Sequence, residues 1–562
     1  MPAPTPRQQE IRDYEGLGLL ITAPAGCGKT EALALRVRGL IDRGATSHPR
    51  RILILTFTNR AKENIEERLR NYLTHSEVRR HVTISNLHSF AARVIRAHGN
   101  VIGVDHTWAI PDSDWVGEQL RALGIPSKQR EIVKGYLQEA KLTTRTDAEV
   151  LTRIAQSQHP LAIQLEQKRV AEKRLTYDDL PRLADLILRD DGVAALYREH
   201  FSSLIIDEFQ DLTLQQLSIA QRIGASRITY AGDLAQGIYS FAGANPQMVL
   251  DAARAEGIQE IAFAESHRSS PAVLNLVNSL TPMTDGTVLS SSRPESWPGG
   301  GLTGHRTFET VEDEAAWIAD FAAKIIPLAP SHRIGVVTRV KARREALDSI
   351  LNEDGHPFSW YRWDDPIFDS HTAPILRSLL RRATDSMLRA DDAVKQILEL
   401  VDPVELHDPT TLESVTAGCT WIQELSIDGS TRAEIRARIK VGEDETLLSA
   451  PGLHLLTGHA GKGQQFDWVI VAGMEDDSIP FYLAKTPDAV KEEARVLSVM
   501  ISRARHGVIT TYCERLTKPW GDVVGTTPSR FFGHLNASPS YMGWDAAANW
   551  LNNASWEQIA QR

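Results

Sequence analysis

The chain predicts an α/β protein with two parallel-sheet cores, each interrupted by a helical insertion. Three observations predict it: short apolar runs that end at polar motifs, helix-patterned stretches between those runs, and a length of 562 residues. That length exceeds what one hydrophobic core supports. Strands alternating with helical stretches imply a parallel sheet wrapped by helices, with ligands at the carboxyl ends of the strands.

The runs come in two groups. Leu17–Thr22, Arg51–Thr56, Val82–Ser85, Ser203–Ile206 and Arg227–Ala231 form the first. Ile334–Thr338, Leu453–Thr457 and Trp468–Ala472 form the second. Residues 96–199 and 364–449 are long, charged and strand-poor, and read as helical insertions. Residues 1–95 with 200–264 are therefore expected as the first core, 265–363 with 450–540 as the second, and 541–562 as a tail. Met283–Gly301, rich in Ser, Pro, Gly and Thr, reads as an exposed connection. Basic residues gather at Gln167-Lys168-Arg169 and Lys173-Arg174, which read as a solvated helical face.

Composition narrows the class. The chain is 42% apolar, 24% charged and 7% aromatic, as in ordinary globular proteins, and no apolar run approaches membrane-spanning length. The start lacks the basic-then-apolar layout of a secretory signal, so a cytoplasmic protein with no membrane partner is expected. Cys27, Cys419 and Cys513 are widely spaced and form no CxxC pair, which argues against a zinc site, an iron–sulfur cluster or a disulfide framework. A formal net charge of −10 means that any nucleic-acid contact depends on a local patch.

Ala23-Pro24-Ala25-Gly26-Cys27-Gly28-Lys29-Thr30 lies between an apolar run and a helix-patterned stretch. Gly26 and Gly28 let backbone N–H groups turn inward around a phosphate. Lys29 can reach β- and γ-phosphates, and Thr30 can hold Mg²⁺. Asp207-Glu208 follows Leu204-Ile205-Ile206, so Asp207 is expected to hold Mg²⁺ and Glu208 to polarise the attacking water. These residues point to a nucleoside triphosphate and Mg²⁺ as ligands. Developing phosphate charge also requires cations, for which Arg268 and Arg503 stand out. Phe57, Tyr239 and Phe241 are aromatics set in polar or glycine-bearing motifs, where bases of any sequence can stack. Asn59 and His88 can meet phosphates or sugars beside them.

In order, Pro6-Arg-Gln8, Ala25-Gly-Cys-Gly-Lys-Thr30, Thr56-Phe-Thr-Asn-Arg-Ala61, Asn86-Leu-His-Ser-Phe90 and Asp207-Glu-Phe-Gln-Asp211 run along the first core. Gly232-Asp-Leu-Ala-Gln-Gly-Ile-Tyr-Ser-Phe-Ala-Gly243 and Ser266-His-Arg-Ser269 follow, then Thr457-Gly-His-Ala-Gly-Lys-Gly463, Glu492-Glu-Ala-Arg-Val496, Ser502-Arg-Ala504 and Pro528-Ser-Arg-Phe531. This ordered set resembles the UvrD/Rep/PcrA group of superfamily 1 DNA helicases. The resemblance implies two RecA-like P-loop NTPase cores that close on ATP, with single-stranded DNA, or DNA with a single-stranded tail, across both. It implies adenine contact by Gln8, γ-phosphate sensing by Gln236, and transmission of hydrolysis by Gln210. It further implies arginine fingers at Arg268 and Arg503, coupling to DNA at His459, and 3′-to-5′ travel.

The sequence also departs from that group. Glu31 and His267 stand where relatives commonly carry the Arg and Tyr that sandwich adenine, which predicts looser discrimination between ATP and GTP. Ala242 replaces a common Arg, and Gln464-Gln465 replaces Leu-Glu, which bears on coupling. The second insertion is short and little chain follows Phe531. That compactness resembles the helicase-like subunit of the Gabija antiphage system, and makes a DNA-end-sensing ATPase with a partner nuclease the alternative expectation. A P-loop kinase would leave the stacking motifs and both arginine segments unused. No Asp…Glu-x-Lys nuclease cluster is evident in the chain itself.

Overall fold

A computed structural model describes residues 3–111, 114–352, 355–390, 392–401, 406, 409–442, 446–517 and 521–562. The chain divides into two compact units. The first comprises residues 1–267 and 284–288, and the second residues 268–283 and 289–562.

The first unit holds a six-stranded sheet in the order Val82–Asn86, Arg51–Thr56, Phe201–Asp207, Ile228–Gly232, Leu19–Thr22, Gln259–Ala262, with every pairing parallel. Its central strands are buried on both faces, and in Phe201–Asp207 the segment Leu204-Ile205-Ile206 is apolar throughout. Phe90, Val94, Leu183, Ile187, Leu204, Ile206 and Ile223 pack in one cluster against it. The helices Leu87–His98, Asp179–Ile187 and Leu214–Gly224 supply the covering layer.

Residues 96–199 are helical without a strand among the described residues, but only part of the stretch stands apart from the sheet. Leu120, Val133, Leu137, Val150, Ile154 and Leu165 form a separate small core. A buried ion network joins its helices Ser127–Thr143, Asp147–Gln156 and Pro160–Ala171 to the helix Asp179–Ile187. The Lys141 ammonium lies 3.2 Å from Glu166 and 3.0 Å from Asp179, and donates to the Thr176 hydroxyl. Arg169 reaches Glu166 and Asp147 at 2.6 and 2.8 Å, and Arg182 reaches Asp179 and Asp147 at 2.6 and 2.7 Å. Arg169 is thus buried, contrary to the solvated face its sequence neighbourhood suggests, whereas Lys168 and Lys173 are exposed and Arg174 is half-buried. Burial alone would raise the Asp179 pKa, but the surrounding cations hold the carboxyl far below its ordinary range. Removing one member leaves buried opposite charges uncompensated, so Lys141→Ala should destabilise the first unit by about 3–5 kcal/mol in a denaturant titration.

The second unit holds seven strands in the order Trp360–Arg362, Gly452–Thr457, Arg333–Thr338, Phe466–Val471, Ala504–Cys513, Leu302–Phe308, Tyr541–Gly543, again all parallel. Every strand expected from the sequence is present, with ends displaced by at most two residues. Leu302–Phe308, Ala504–Cys513 and Tyr541–Gly543 were not foreseen, because their residues mix polar with apolar types. Residues 541–562, expected as a tail, supply the edge strand and the helix Trp544–Asn553, whose Ala547 and Leu551 enter the core with Ile334 and Ile470. Met283–Gly301 is not a simple exposed connection either. Thr284, Leu289 and Trp297 within it are buried, and residues 284–288 belong to the first unit.

Between Arg362 and Gly452, the helices Thr372–Arg382, Pro409–Ile427 and Arg432–Arg438 surround a core of Leu376, Leu379, Val415, Cys419, Ile422 and Ile435. Ile367–Phe368 pairs with Lys440–Val441 where this stretch leaves and returns. Parts of 364–449 (residues 391, 402–405, 407–408 and 443–445) lie outside the described residues. Arg438, in the basic run after Thr431, is engaged by Asp365, and Arg432 lies 2.8 Å from Asp385. Among the described residues, no helix is long and apolar enough to cross a membrane.

Candidate nucleotide and strand-binding site

The first unit brings the residues expected at the phosphates together at the carboxyl ends of its strands. Leu19–Thr22 runs into residues 23–28, and the helix Lys29–Asp42 follows. The Ala23 N–H donates to the Gly232 carbonyl, fixing the entry to the loop beside the neighbouring strand. Gly28 caps the helix in the left-handed region at φ 84° without a side-chain partner, so no side chain covers the first N–H groups. A Cβ at Gly28 would lie 2.7 Å from the Gln8 amide nitrogen as well. Pro24, Ala25 and Cys27 complete the loop, with Cys27 buried and its N–H donating to the Pro24 carbonyl.

Lys29 projects from the helix start onto the strand-end acids. Its ammonium is 2.7 Å from Asp207 and also contacts Glu208. Burial opposes the ammonium charge, yet the two carboxylates outweigh it and hold the pKa of Lys29 above its ordinary value. Burial and the neighbouring Glu208 raise that of Asp207. Glu208 adopts φ 60°, a region that non-glycine residues occupy only when their surroundings hold them there. Thr30, at the first turn, and Asp207 offer hard oxygen donors beside the loop, a set that fits Mg²⁺.

From Glu208 a hydrogen-bond chain leads to Gln236. The Gln210 amide donates to Glu208 at 2.6 Å, and its carbonyl oxygen accepts the Asp233 N–H at 3.0 Å. The Gln236 amide then donates to Asp233 at 2.8 Å. Gln210 is fully buried, and a Cβ at Gly232 would lie 2.2 Å from its amide oxygen, so glycine there is what lets Gln210 in. Burial raises the pKa of Asp233. Asp233 was not singled out as a site residue, although its acidic side chain stands inside the Gly232–Gly243 motif.

That motif continues into the aromatic residues. Phe57 and Tyr239 stack with ring centroids 5.9 Å apart and an interplanar angle of 11°. Tyr239 meets Phe241 edge-on at 5.9 Å, and Phe241 is 67% exposed. Phe57 is half-buried against the sheet core. Asn59 is exposed at the start of the helix Asn59–Leu69 and accepts from the Asn86 amide. His88 is half-buried, and burial lowers its pKa, which favours the neutral ring. Its ring meets the exposed Tyr177 edge-on at 6.3 Å. Tyr177 was missed because it lies in the helical stretch, 89 positions from its neighbour (177 − 88).

The base side differs from the sequence expectation in its partners. Gln8 is held at both ends of its amide: the oxygen accepts the Thr5 N–H, and the nitrogen donates to the Gly28 carbonyl at 3.4 Å. The Tyr72 hydroxyl donates to Glu31, with Arg68 3.8 Å from its other oxygen. Burial and Glu31 together push the Tyr72 phenol up to about 12. His267 is exposed, and its N–H donates to the Gly26 carbonyl at 2.9 Å.

Three expected site residues belong to the second unit. Arg268 is half-buried at the start of that unit. Arg503 is 1% exposed, and donates to the Val499 carbonyl at 2.9 Å and the Ser502 hydroxyl at 3.0 Å. His459 is half-buried after the strand Gly452–Thr457, and its carbonyl accepts the Lys462 N–H.

All-parallel sheets, an uncapped phosphate loop and strand-end carboxylates define a P-loop nucleoside-triphosphate hydrolase. Residues 5–255 match the UvrD/REP helicase N-terminal domain, and residues 420–515 match the UvrD-like helicase C-terminal domain. Similar proteins include the ATP-dependent DNA helicase UvrD2 of Mycobacterium tuberculosis, 27% identical over 92% of this chain and 79% of that protein. Rep of Escherichia coli is 23% identical over 94% of each chain, and PcrA of Staphylococcus aureus is 23% identical over 95% of this chain and 86% of its own. The chain belongs to the UvrD-like superfamily 1 helicases, which are ATP-dependent DNA helicases.

Proposed function

We propose that this protein is an ATP-driven single-stranded DNA translocase with helicase activity, moving 3′ to 5′. The observation that carries the reading is the chain Glu208–Gln210–Asp233–Gln236, which runs from the strand-end acids into the loop bearing Tyr239 and Phe241. A change at the phosphates thereby has a bonded route to Gln236, in the same loop as the aromatic residues on which bases stack.

Each residue has a role in this account. The N–H groups of residues 23–30 cradle the triphosphate, and Lys29 binds its β- and γ-oxygens. Thr30 and Asp207 hold Mg²⁺, which neutralises charge on the β- and γ-oxygens when bound. An incoming triphosphate competes with Asp207 and Glu208 for the Lys29 ammonium. Glu208 then orients the attacking water and accepts its proton, while Gln210 holds the carboxylate in place. Arg268 and Arg503 supply positive charge to the developing phosphate, and Gln236 senses the γ-phosphate. His459 couples the second unit to the strand. Phe57, Tyr239 and Phe241 bind bases without regard to sequence, beside Asn59 and His88 at sugars and phosphates.

Polarity is tested by strand displacement. A duplex with a 3′ single-stranded tail should be unwound in the presence of ATP, and a duplex with only a 5′ tail should not. Equal displacement from both substrates would overturn the assignment of direction. Phe241→Ala should weaken single-stranded DNA binding about tenfold in a fluorescence anisotropy titration, since one stacking face is lost.

At the base side, Gln8, Glu31 and His267 discriminate weakly. A carboxylate held by Tyr72 and Arg68 offers no cation to a purine face from position 31. We expect GTP to compete with ATP within about tenfold in a hydrolysis assay. A strong ATP preference would count against that part of the account.

A further inference from the structure

The first unit has a second recess beside Phe241. A groove of about 550 Å³ lies between the helix Ser127–Thr143 and the loop 240–243. Ile132, Tyr136 and Leu142 line it from the helix, and Thr213, Leu214 and Phe241 from the loop side. Ile132, Tyr136, Leu214 and Phe241 are each at least 36% exposed. Large apolar side chains scattered singly on a surface need no explanation, but four around one recess mark a contact site.

The walls are fixed to one another. The Gln215 amide donates to the carbonyls of Lys141, Leu142 and Thr144 at 2.7, 3.2 and 3.1 Å, which ties the helix end to the segment below the loop. A bridge between Thr213 and Ala244 closes the loop side. A Cβ at Gly243 would lie 2.7 Å from the Leu142 methyls, so loop and helix already touch there. Tyr136 rests against the His159 ring, with centroids 5.2 Å apart. A recess held this way is pre-formed, and its volume is in the range of small-ligand sites.

Its chemistry selects among ligands. Among the described residues the remaining lining is Gln138, Glu139, Thr143 and Ser240 with the backbone of Gly135 and Gly243, and Glu139 at the rim lies 3.2 Å from Arg153. With Arg153 already engaged by that carboxylate, the described lining is mainly apolar and suits an uncharged group better than a phosphate. A flat group with apolar faces and hydrogen-bonding edges fits, and a nucleobase is such a group. The groove also continues from Phe241, the most exposed member of the Phe57–Tyr239–Phe241 series. We propose that it receives one unpaired base of the bound strand, with Tyr136 and Phe241 as its aromatic walls. The proposal rests on the strand-binding reading above, and makes the first helical insertion part of the DNA track.

The test is binding of a labelled oligothymidylate by the full chain, read by anisotropy, with one abasic nucleotide walked along the strand. Tyr136→Ala should bind about tenfold more weakly, with the slope against salt unchanged because no phosphate contact is removed. An abasic nucleotide at one position should weaken the parent but not Tyr136→Ala further, and Tyr136→Phe should bind like the parent. Parent-like binding by Tyr136→Ala, with Phe241→Ala still weakened, would overturn the groove proposal, leave the strand reading standing, and point to a protein side chain as occupant. A loss in Tyr136→Ala that is equal at every abasic position, or that reduces the salt slope, would overturn it too. If neither Phe241→Ala nor Tyr136→Ala weakens binding, the strand reading falls with it.

Discussion

Lys29→Ala should lower ATP hydrolysis by more than about a hundredfold while single-stranded DNA binding without nucleotide stays at the parent level. The ammonium is the one side-chain cation among residues 23–30, and it lies 2.7 Å from Asp207 at the strand end where we place the triphosphate. Its removal also leaves two acidic groups without their counter-charge in a largely buried place. Some loss of stability is therefore expected, and a thermal melt separates that from the catalytic loss. Lys29→Met, which keeps the apolar stem, should melt closer to the parent and remain equally inactive. Phe57, Tyr239 and Phe241, proposed to bind the strand, engage one another in ring contacts, while Lys29 is engaged by Asp207 and Glu208, which is why DNA affinity should survive. Hydrolysis within tenfold of the parent by either variant would contradict the phosphate assignment.

Gln210→Ala should separate the two ends of the machine. Its buried amide is the bond between Glu208 and Asp233, so its loss orphans the Asp233 N–H and loosens Glu208. We expect stimulation of hydrolysis by single-stranded DNA to fall by about a hundredfold, with ATP binding and basal DNA binding within a few-fold of the parent. Gln210→Glu is a sharper probe. It places a second carboxylate next to Glu208, 2.6 Å from where the amide now donates, and should be at least as damaging. Retained stimulation in Gln210→Ala would remove the bonded route from the account.

What the sequence disclosed and what it hid follow from the range of the interactions. The phosphate loop and Asp207-Glu208 were legible because their chemistry is local: a few adjacent residues at the end of a doubly buried apolar strand. The parallel sheets were legible for the same reason wherever a strand carries a short apolar segment that ends at a polar motif. Leu302–Phe308 and Ala504–Cys513 were not, because they carry buried threonines whose hydroxyls find distant partners. Thr303 donates to the Ser540 carbonyl, and Thr511 to Glu314. Arg169 reads as a surface cation until Glu166, Asp147 and Asp179 surround it. Glu31 could be recognised as a departure, but its partners Tyr72 and Arg68 become neighbours only when two helices pack. Asp233 and Tyr177 were overlooked for the same reason, since each acquires its meaning from a residue elsewhere in the chain: Gln210 and Gln236 for one, His88 for the other.

The central claim is that hydrolysis at the loop and strand binding at the aromatic residues are coupled. It is tested most directly by steady-state ATP hydrolysis by the full chain, measured as single-stranded DNA is titrated in, with Lys29→Ala as the blank. The account predicts a saturable rise in rate that is absent in Lys29→Ala and blunted in both Phe241→Ala and Gln210→Ala. A rate that depends on Lys29 but is indifferent to single-stranded DNA at every concentration would contradict it.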